Sequence, residues 1–232
     1  INEYLKQNNN VQCLIGDHWK SLELIQTNKI KICLIHSKEI NHPKGSRLNT
    51  KVLQVLNNVD HVIANSNFTK DLAINLGVEE HRILVINPGV DPVKEIPSKD
   101  LKKADEVFKG KKQRLITVSR YDKRKNHEKV IMAIRNLKEV YPDIVYICIG
   151  YGDEEENLKK LVIELKLEDQ VKFLKDIPSD FKNALISKSN VFIMPSIIYK
   201  KSVEGFGIAY VEAAQYGLSL IHISEPTRRV LI

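Results

Sequence analysis

The segment SVEGFGIAYVEAAQYG carries two carboxylates, Glu204 and Glu212, eight positions apart around a Gly-Phe-Gly triplet. Its apolar spacing predicts a helix over 208–215 with Gly217 just past its end. Gly205, Phe206 and Gly207 then lie at or just before the helix start, where free amides and the positive dipole end suit a phosphate and glycine keeps the approach open. Glu204 belongs to the loop, and Glu212 lies about one turn into the helix. A carboxylate accepts hydrogen bonds and donates none, so the second can hold both hydroxyls of a ribose and the first can meet sugar hydroxyls near a reacting carbon.

Three further segments hold candidate groups. The apolar run RLITVS (114–119) exits into SRYDKRKN, placing Arg120 and Lys125 five positions apart; a planar guanidinium fork and a point-charge ammonium together can clamp a diphosphate. IVYICIG (144–150) exits into GYGDEEE, where Gly150 and Gly152 allow a tight turn and close backbone approach. The third glycine of a dinucleotide fingerprint is missing and the strand is the wrong one for it, which disfavours a nicotinamide-dependent dehydrogenase. KICLIH (31–36) ends at His36. Taken together, the cations, glycines, helix start and carboxylates read as a nucleotide-sugar site.

These loops need elements to position them. KICLIH, HVIANS (61–66) and RILVINP (82–88) read as strands, and NFTKDLAINLG as a helix capped by Ser66 and closed by Gly77. NPGVDP marks a break, followed by a charged stretch over 93–112 and a second series of strands, RLITVS, IVYICIG, VKFL (171–174) and VFIMPS (191–196). Between them NHEKVIMAIRNLKEV sets Val130, Ile131, Ile134 and Leu137 on one face, and DEEENLKKLVIELKL opens with acids at the positive end of a helix. The alternation predicts an α/β chain with two parallel sheets, each covered by helices, joined near residue 90. Ligands of such sheets bind at the carboxyl ends of the strands, where the candidate groups lie.

Composition bounds the function classes. The 232 residues are 43% apolar and 28% charged, a globular balance with enough chain for two cores. No apolar run reaches the roughly 18 residues of a membrane span. Cys13, Cys33 and Cys148 include no C-x-x-C pair and read as reduced core thiols of a cytoplasmic protein. Of the net charge of +7, much lies between Lys109 and Lys129, where nine basic residues face two acids. Such a stretch suits a phosphate, a nucleic acid or an anionic membrane surface. Tyr121 is the one aromatic within KGKKQRLITVSRYDKRKN, which disfavours single-stranded RNA, since stacking needs more.

EGFGIAYVEAAQYG resembles the E-x7-E segment of retaining glycosyltransferases of family 4, and VSRYDKRKNHEKVIMAI resembles their donor-diphosphate loop. VIANSNFTKDLAINLGV and ILVINPGVD are similar to their domain-linking region, so the resemblance covers roughly residues 31–217 in order. It implies the GT-B fold, two Rossmann-like domains facing across a cleft, with 1–91 part of the acceptor-side domain and 92–217 part of the donor-binding domain. It implies transfer of a hexose from a nucleotide-sugar donor with retention of configuration, by front-face substitution and without a metal or bound cofactor. Arg120 and Lys125 would bind the diphosphate, Glu204 the donor sugar, Phe206 and Gly207 would offer backbone contacts, Glu212 the ribose and the main chain of Ile177 the base. IHSKEI resembles the family's HGxE turn, with His36 toward the sugar and Ser37 where glycine is usual. DHWKSLE and SVEGFGI look more like bacterial mannosyltransferases, which makes GDP-mannose, with a UDP-sugar as the alternative, and a lipid-linked or polysaccharide acceptor at an anionic membrane surface the expectations; no nucleic acid is expected. A GT-B sugar-nucleotide epimerase is the competing reading. Ahead of INEY the family's first strands are missing, and LSLIHISEPTRRVLI resembles the translation of a sequencing adapter. A fragment of low activity, with a non-native tail over 218–232, is therefore expected.

Overall fold

The computed structural model describes residues 1–200 and 202–221. The chain divides into two units, Ile1–Gly89 with Lys200–Phe206, and Val90–Tyr199 with the chain from Gly207 onward.

The first unit is built as α1 (Asn2–Gln7), β1 (Cys13–Gly16), α2 (Trp19–Leu22), β2 (Ile30–Ile35), α3 (Arg47–Asn57), β3 (His61–Ala64), α4 (Asn67–Leu76) and β4 (Ile83–Val85). Its strands are all parallel in the order β1-β2-β3-β4. Parallel neighbours bring all the carboxyl ends to one edge of the sheet. The core gathers Trp19, Ile35, Val52, Leu56, Val62 and Ala64. Ser66 caps α4 by accepting from the Thr69 amide at 3.1 Å. Gly77 closes it at φ 114°, its amide returning to Ala73 and Ile74, as the sequence reading expects. Four elements, α1, β1, α2 and α3, were not anticipated. The four-residue β1 is too short to show a period, and α3, RLNTKVLQVLN, is rich in β-branched and amide residues that blunt its helical signal. Cys13 lies on β1, at the sheet edge, and is exposed; only Cys33 and Cys148 are the core thiols expected. Burial, with Glu39 and Asp17 nearby, pushes the Cys33 thiol up to about 12.

The second unit runs α5 (Ser98–Val107), β5 (Arg114–Val118), α6 (His127–Leu137), β6 (Val145–Ile149), α7 (Glu155–Glu164), β7 (Val171–Leu174), α8 (Ser179–Ser187), β8 (Val191–Ile193), α9 (Ile208–Ala214) and β9 (Ser219–Ile221). Its sheet is parallel in the order β7-β6-β5-β8-β9. Every residue of β6 is buried, the mark of a strand covered on both faces. Val145, Ile147 and Ile149 enter one core cluster with Ile116 and Phe192, and Tyr146 and Cys148 enter another with Ile131 and Ile134. The charged stretch after residue 93 contains α5, whose burial rests on Asp100, Ala104 and the following Phe108, four apart; so few apolar positions leave little pattern to read. Leu137 is 37% exposed, off the buried face of α6. Leu218 is buried and β9 pairs with β8, so the tail expected from residue 218 begins inside the sheet; its remainder, 222–232, lies outside the described residues. Among the described residues no helix is long and apolar enough to cross a membrane.

Candidate functional site

In the second unit, the chain leaving β5 forms a tightly held loop. Asp122 accepts from the Lys125 amide at 3.1 Å, capping a single 3-10 turn over Lys123–Lys125, and Asn126 at φ 60° turns the chain into α6. The loop is pinned on two sides. Tyr121 N–H donates to the Tyr151 carbonyl and Ile197 N–H to the Arg124 carbonyl, both at 2.8 Å, and the Asn126 amide reaches the Pro195 carbonyl at 3.2 Å. Arg120 projects with 67% of its side chain exposed, 3.6 Å from the Asp122 carboxylate. Lys125 is buried, its Nζ 3.3 Å from Met194 Sδ. The Met194 carbonyl in turn accepts from the Tyr210 hydroxyl of α9, so Lys125 and the first turn of α9 share one anchor. Gly207 starts that helix at φ 86°, a backbone that a side chain would strain.

Gly150 and Gly152 have an immediate cause within the protein. A Cβ on Gly150 would overlap the Ser119 carbonyl, and one on Gly152 the Tyr121 carbonyl. Their backbone therefore lies against the Arg120 loop. Sequence reasoning foresaw the close approach but not that the neighbour is the adjacent loop.

Behind the loop is a buried polar network that was not singled out. His127 Nδ1 is 2.9 Å from the Tyr146 hydroxyl and its Nε2 is 3.0 Å from Ser119 Oγ. The Tyr146 hydroxyl is 2.7 Å from Thr117 Oγ1, which donates to the Ile193 carbonyl. Tyr121 donates to the Cys148 carbonyl at 2.8 Å and meets the His127 ring edge-on. Burial and the nearby Lys125 ammonium lower the His127 imidazole to about 4, so it is neutral at physiological pH. The network ties β5, β6, β8 and the start of α6 together under the two cations. Its sequence signal is weak, because single hydroxyls and one histidine carry no spacing of their own.

Glu212 lies in α9, its Oε1 3.7 Å from Lys182 Nζ of α8. Ile177, in the loop between β7 and α8, packs partly buried against the second unit's core. Lys182 was not foreseen, since nothing local links positions 182 and 212.

In the first unit, His36 sits exposed at the carboxyl end of β2, and its amide donates to Glu39 Oε1 at 2.5 Å, closing the turn. Ser37 occupies φ 94° with its side chain wholly buried, which is why glycine suits this position, and its hydroxyl has no hydrogen-bond partner among the described residues. Gly205 lies against this turn: a Cβ there would overlap the His36 carbonyl and stand 2.7 Å from Ser37 Oγ. Ser66 Oγ donates to the Gly205 carbonyl at 2.6 Å. Glu204 and Phe206 flank it, half-buried. The expectation placed 200–206 with the second half, to which it is adjacent in sequence. These contacts hold it on the first unit instead.

The structure thus gathers His36, Glu204, Gly205 and Phe206 in the first unit, and Arg120, Lys125, Gly150, Gly152, Ile177, Gly207 and Glu212 in the second.

Comparison with known proteins gives these groups a setting. The chain is 30% identical over 149 residues to the amylovoran biosynthesis glycosyltransferase AmsK of Erwinia amylovora, covering 64% of this chain and 35% of that protein. It is 25% identical over 190 residues to the GDP-mannose-dependent alpha-(1-6)-phosphatidylinositol monomannoside mannosyltransferase of Mycolicibacterium smegmatis, covering 80% of this chain and 50% of that one. The chain therefore spans about a third to a half of the length of these relatives. Its fold matches the crystal structure of Anabaena HepE in complex with UDP at a TM-score of 0.77, with 19% identity, over 94% of this chain and 61% of HepE. The two parallel-sheet units are those of the GT-B fold. Residues 11–94 match Glycosyltransferase Family 4 and residues 98–232 match the family described as glycosyl transferases group 1. With more than half its length in that second match, the chain belongs to the glycosyl transferases group 1.

Proposed function

We propose that the protein of which this chain is part transfers a hexose from a nucleotide-sugar donor to a lipid-linked or polysaccharide acceptor, with retention of anomeric configuration. The observation that carries this reading is the anchoring of Lys125 and the first turn of α9 on the same Met194, beside an Arg120 loop pinned by its neighbours. It supports a diphosphate site in which Lys125 is held in place before the ligand arrives and Arg120 extends from a fixed loop, so that charge growing on the leaving group is stabilised at little reorganisation cost.

In this reading Arg120 and Lys125 bind the diphosphate, with Gly207 at the helix start adding its backbone. Glu212 accepts from the ribose hydroxyls, the main chain of Ile177 meets the base, and Gly150 and Gly152 hold the loop in shape. Glu204, with Phe206 and Gly205, contacts the donor sugar, as does His36. A donor phosphate oxygen takes the acceptor proton in a front-face substitution, so no side chain serves as nucleophile. The nucleotide-sugar is a substrate, and no metal or further cofactor is invoked. Mannose is the hexose favoured, because the relatives above include a GDP-mannose-dependent enzyme, although HepE binds UDP. A lipid-linked acceptor would put the reaction at a membrane surface, and the cytoplasmic face is the one we propose.

Calorimetric titration with GDP, UDP, ADP and NAD, alongside Arg120→Ala and Glu212→Gln, tests the donor site. Selective binding of one nucleoside diphosphate, weakened by both substitutions, supports it and names the base; binding of none, or binding indifferent to both, refutes it. A product assay separates transfer from epimerisation, and proton NMR of the new anomeric centre reads retention or inversion.

A further inference from the structure

A cavity of about 660 Å³ opens in the first unit at the amino ends of β2, β3 and β4, the opposite edge of the sheet from His36 and Gly205. Nothing in the proposed reaction uses it. Its walls carry three cations, Lys29, Lys31 and Arg82. Lys29 Nζ donates to the Asn9 carbonyl at 3.3 Å, and the Arg82 guanidinium donates to the carbonyls of Leu56 and Val59 at the end of α3. These acceptors are neutral and leave the charges uncancelled. Among the described residues Lys31 Nζ has no partner, and none of the three cations has a carboxylate within ion-pair distance. The acid on the wall, Asp60, is committed elsewhere, accepting from the Lys31 amide at 2.7 Å and fixing the start of β2 against β3. Asn28, Asn57 and Asn58 add side-chain amide donors around the rim.

Three cations against the single carboxylate of Asp60 leave the concavity a net positive potential, and guanidinium and ammonium donors with neighbouring amides are what phosphate oxygens accept from. The volume falls within the roughly 300–1,000 Å³ of small-molecule sites, far more than a single phosphate fills. The cavity continues into a second of about 500 Å³, sharing Thr27, Lys31, Asn58 and Val59, whose further walls include Leu24, Ile25 and Val55. Leu24 stands 79% exposed there. One end of the groove is thus cationic and the other partly apolar.

We infer that this groove binds a phosphate ester, its phosphate among Lys29, Lys31 and Arg82 and its less polar remainder along Leu24 and Ile25. The site shares no residue with the donor site and stands or falls independently of the proposed reaction. Two sources offer this chemistry, a phospholipid headgroup and a soluble phosphate ester.

The test is residue-resolved amide NMR of the chain titrated with inorganic pyrophosphate at constant ionic strength, which separates this groove from the cations of the Arg120 loop. Saturable shifts are expected at Lys29, Lys31 and His61. The double substitution Lys29→Gln/Lys31→Gln weakens them by about tenfold or more, whereas Lys29→Arg/Lys31→Arg stays within about threefold. Neither pair alters the backbone bond to Asp60, and unchanged spectra elsewhere verify the fold. Shifts that are absent at these residues, fail to saturate, or are undiminished by the glutamine pair overturn the proposal. Where they saturate, co-sedimentation with phosphatidylcholine vesicles containing phosphatidylglycerol, lost in the glutamine pair, identifies a headgroup; saturable shifts without co-sedimentation identify a soluble ester.

Discussion

The hydroxyl of Ser66 donates to the carbonyl of Gly205 at 2.6 Å, joining positions 139 apart in the chain. The same oxygen accepts from the Thr69 amide to cap α4, and the Thr69 hydroxyl donates to Asn65 Oδ1 at 2.6 Å. The single proton of Ser66 has two acceptors in reach, the Gly205 carbonyl at 2.6 Å and Thr69 Oγ1 at 3.1 Å, and the carbonyl is the nearer. One side chain starts a helix and tethers the loop that carries Glu204.

Ser66→Ala removes both contacts. A lost cap costs about 1 kcal/mol and a lost part-buried hydrogen bond about as much again. A stability loss of about 2 kcal/mol is expected in chemical denaturation, with the transfer activity proposed for the whole protein falling beyond what the unfolded fraction explains. Ser66→Thr keeps a hydroxyl and restores most of both. An alanine variant with full turnover of its folded fraction would show that the tether does not position Glu204.

Ser37→Gly is expected to stabilise the first unit. The left-handed backbone costs a residue with a side chain about 1–3 kcal/mol, and a buried hydroxyl without a partner adds a desolvation cost. Against this, glycine gives the unfolded chain about 0.5–1 kcal/mol of extra entropy. The net gain should be about 1 kcal/mol, read as a higher urea midpoint at unchanged slope. A lower midpoint would mean that the hydroxyl is satisfied by water and holds the turn.

His127 makes stability depend on acid. Its imidazole is held at about 4 in the folded protein, below the ordinary 6.5, so the unfolded chain takes up a proton that the folded chain refuses. The stabilisation is complete above pH 6.5 and is lost as the pH falls toward 4, by about 3 kcal/mol in all. Urea unfolding at a series of pH values should show this decline in the parent and a flatter one in His127→Gln. Equal slopes in the two would assign the decline to other groups.

The proposed donor site gives Glu212 and Lys182 different roles. Glu212→Gln should weaken nucleoside diphosphate binding by about 10–100-fold, the range of hydrogen bonds to a charged acceptor. Lys182→Ala removes only a partly exposed ion pair, worth at most about 1 kcal/mol, and should change binding by no more than about fivefold. Calorimetry on both variants checks this. A larger effect of Lys182 would place its ammonium on the ligand.

By itself the amino-acid sequence determined the alternation of strand and helix, hence two parallel sheets, because continuous apolar runs and period-3.6 faces act over a few neighbouring residues. It determined the Ser66 cap and the Gly77 closure for the same reason, and through glycine it marked where backbone comes close, at Gly150 and Gly152. The tertiary structure alone decided what those glycines approach. It alone decided that Lys200–Phe206 joins the first unit, that Lys182 partners Glu212, and that His127 is buried neutral beneath Arg120 and Lys125. Each of these rests on contacts between residues distant in the chain, where burial and hydrogen-bond geometry choose the partner and no local propensity records the choice.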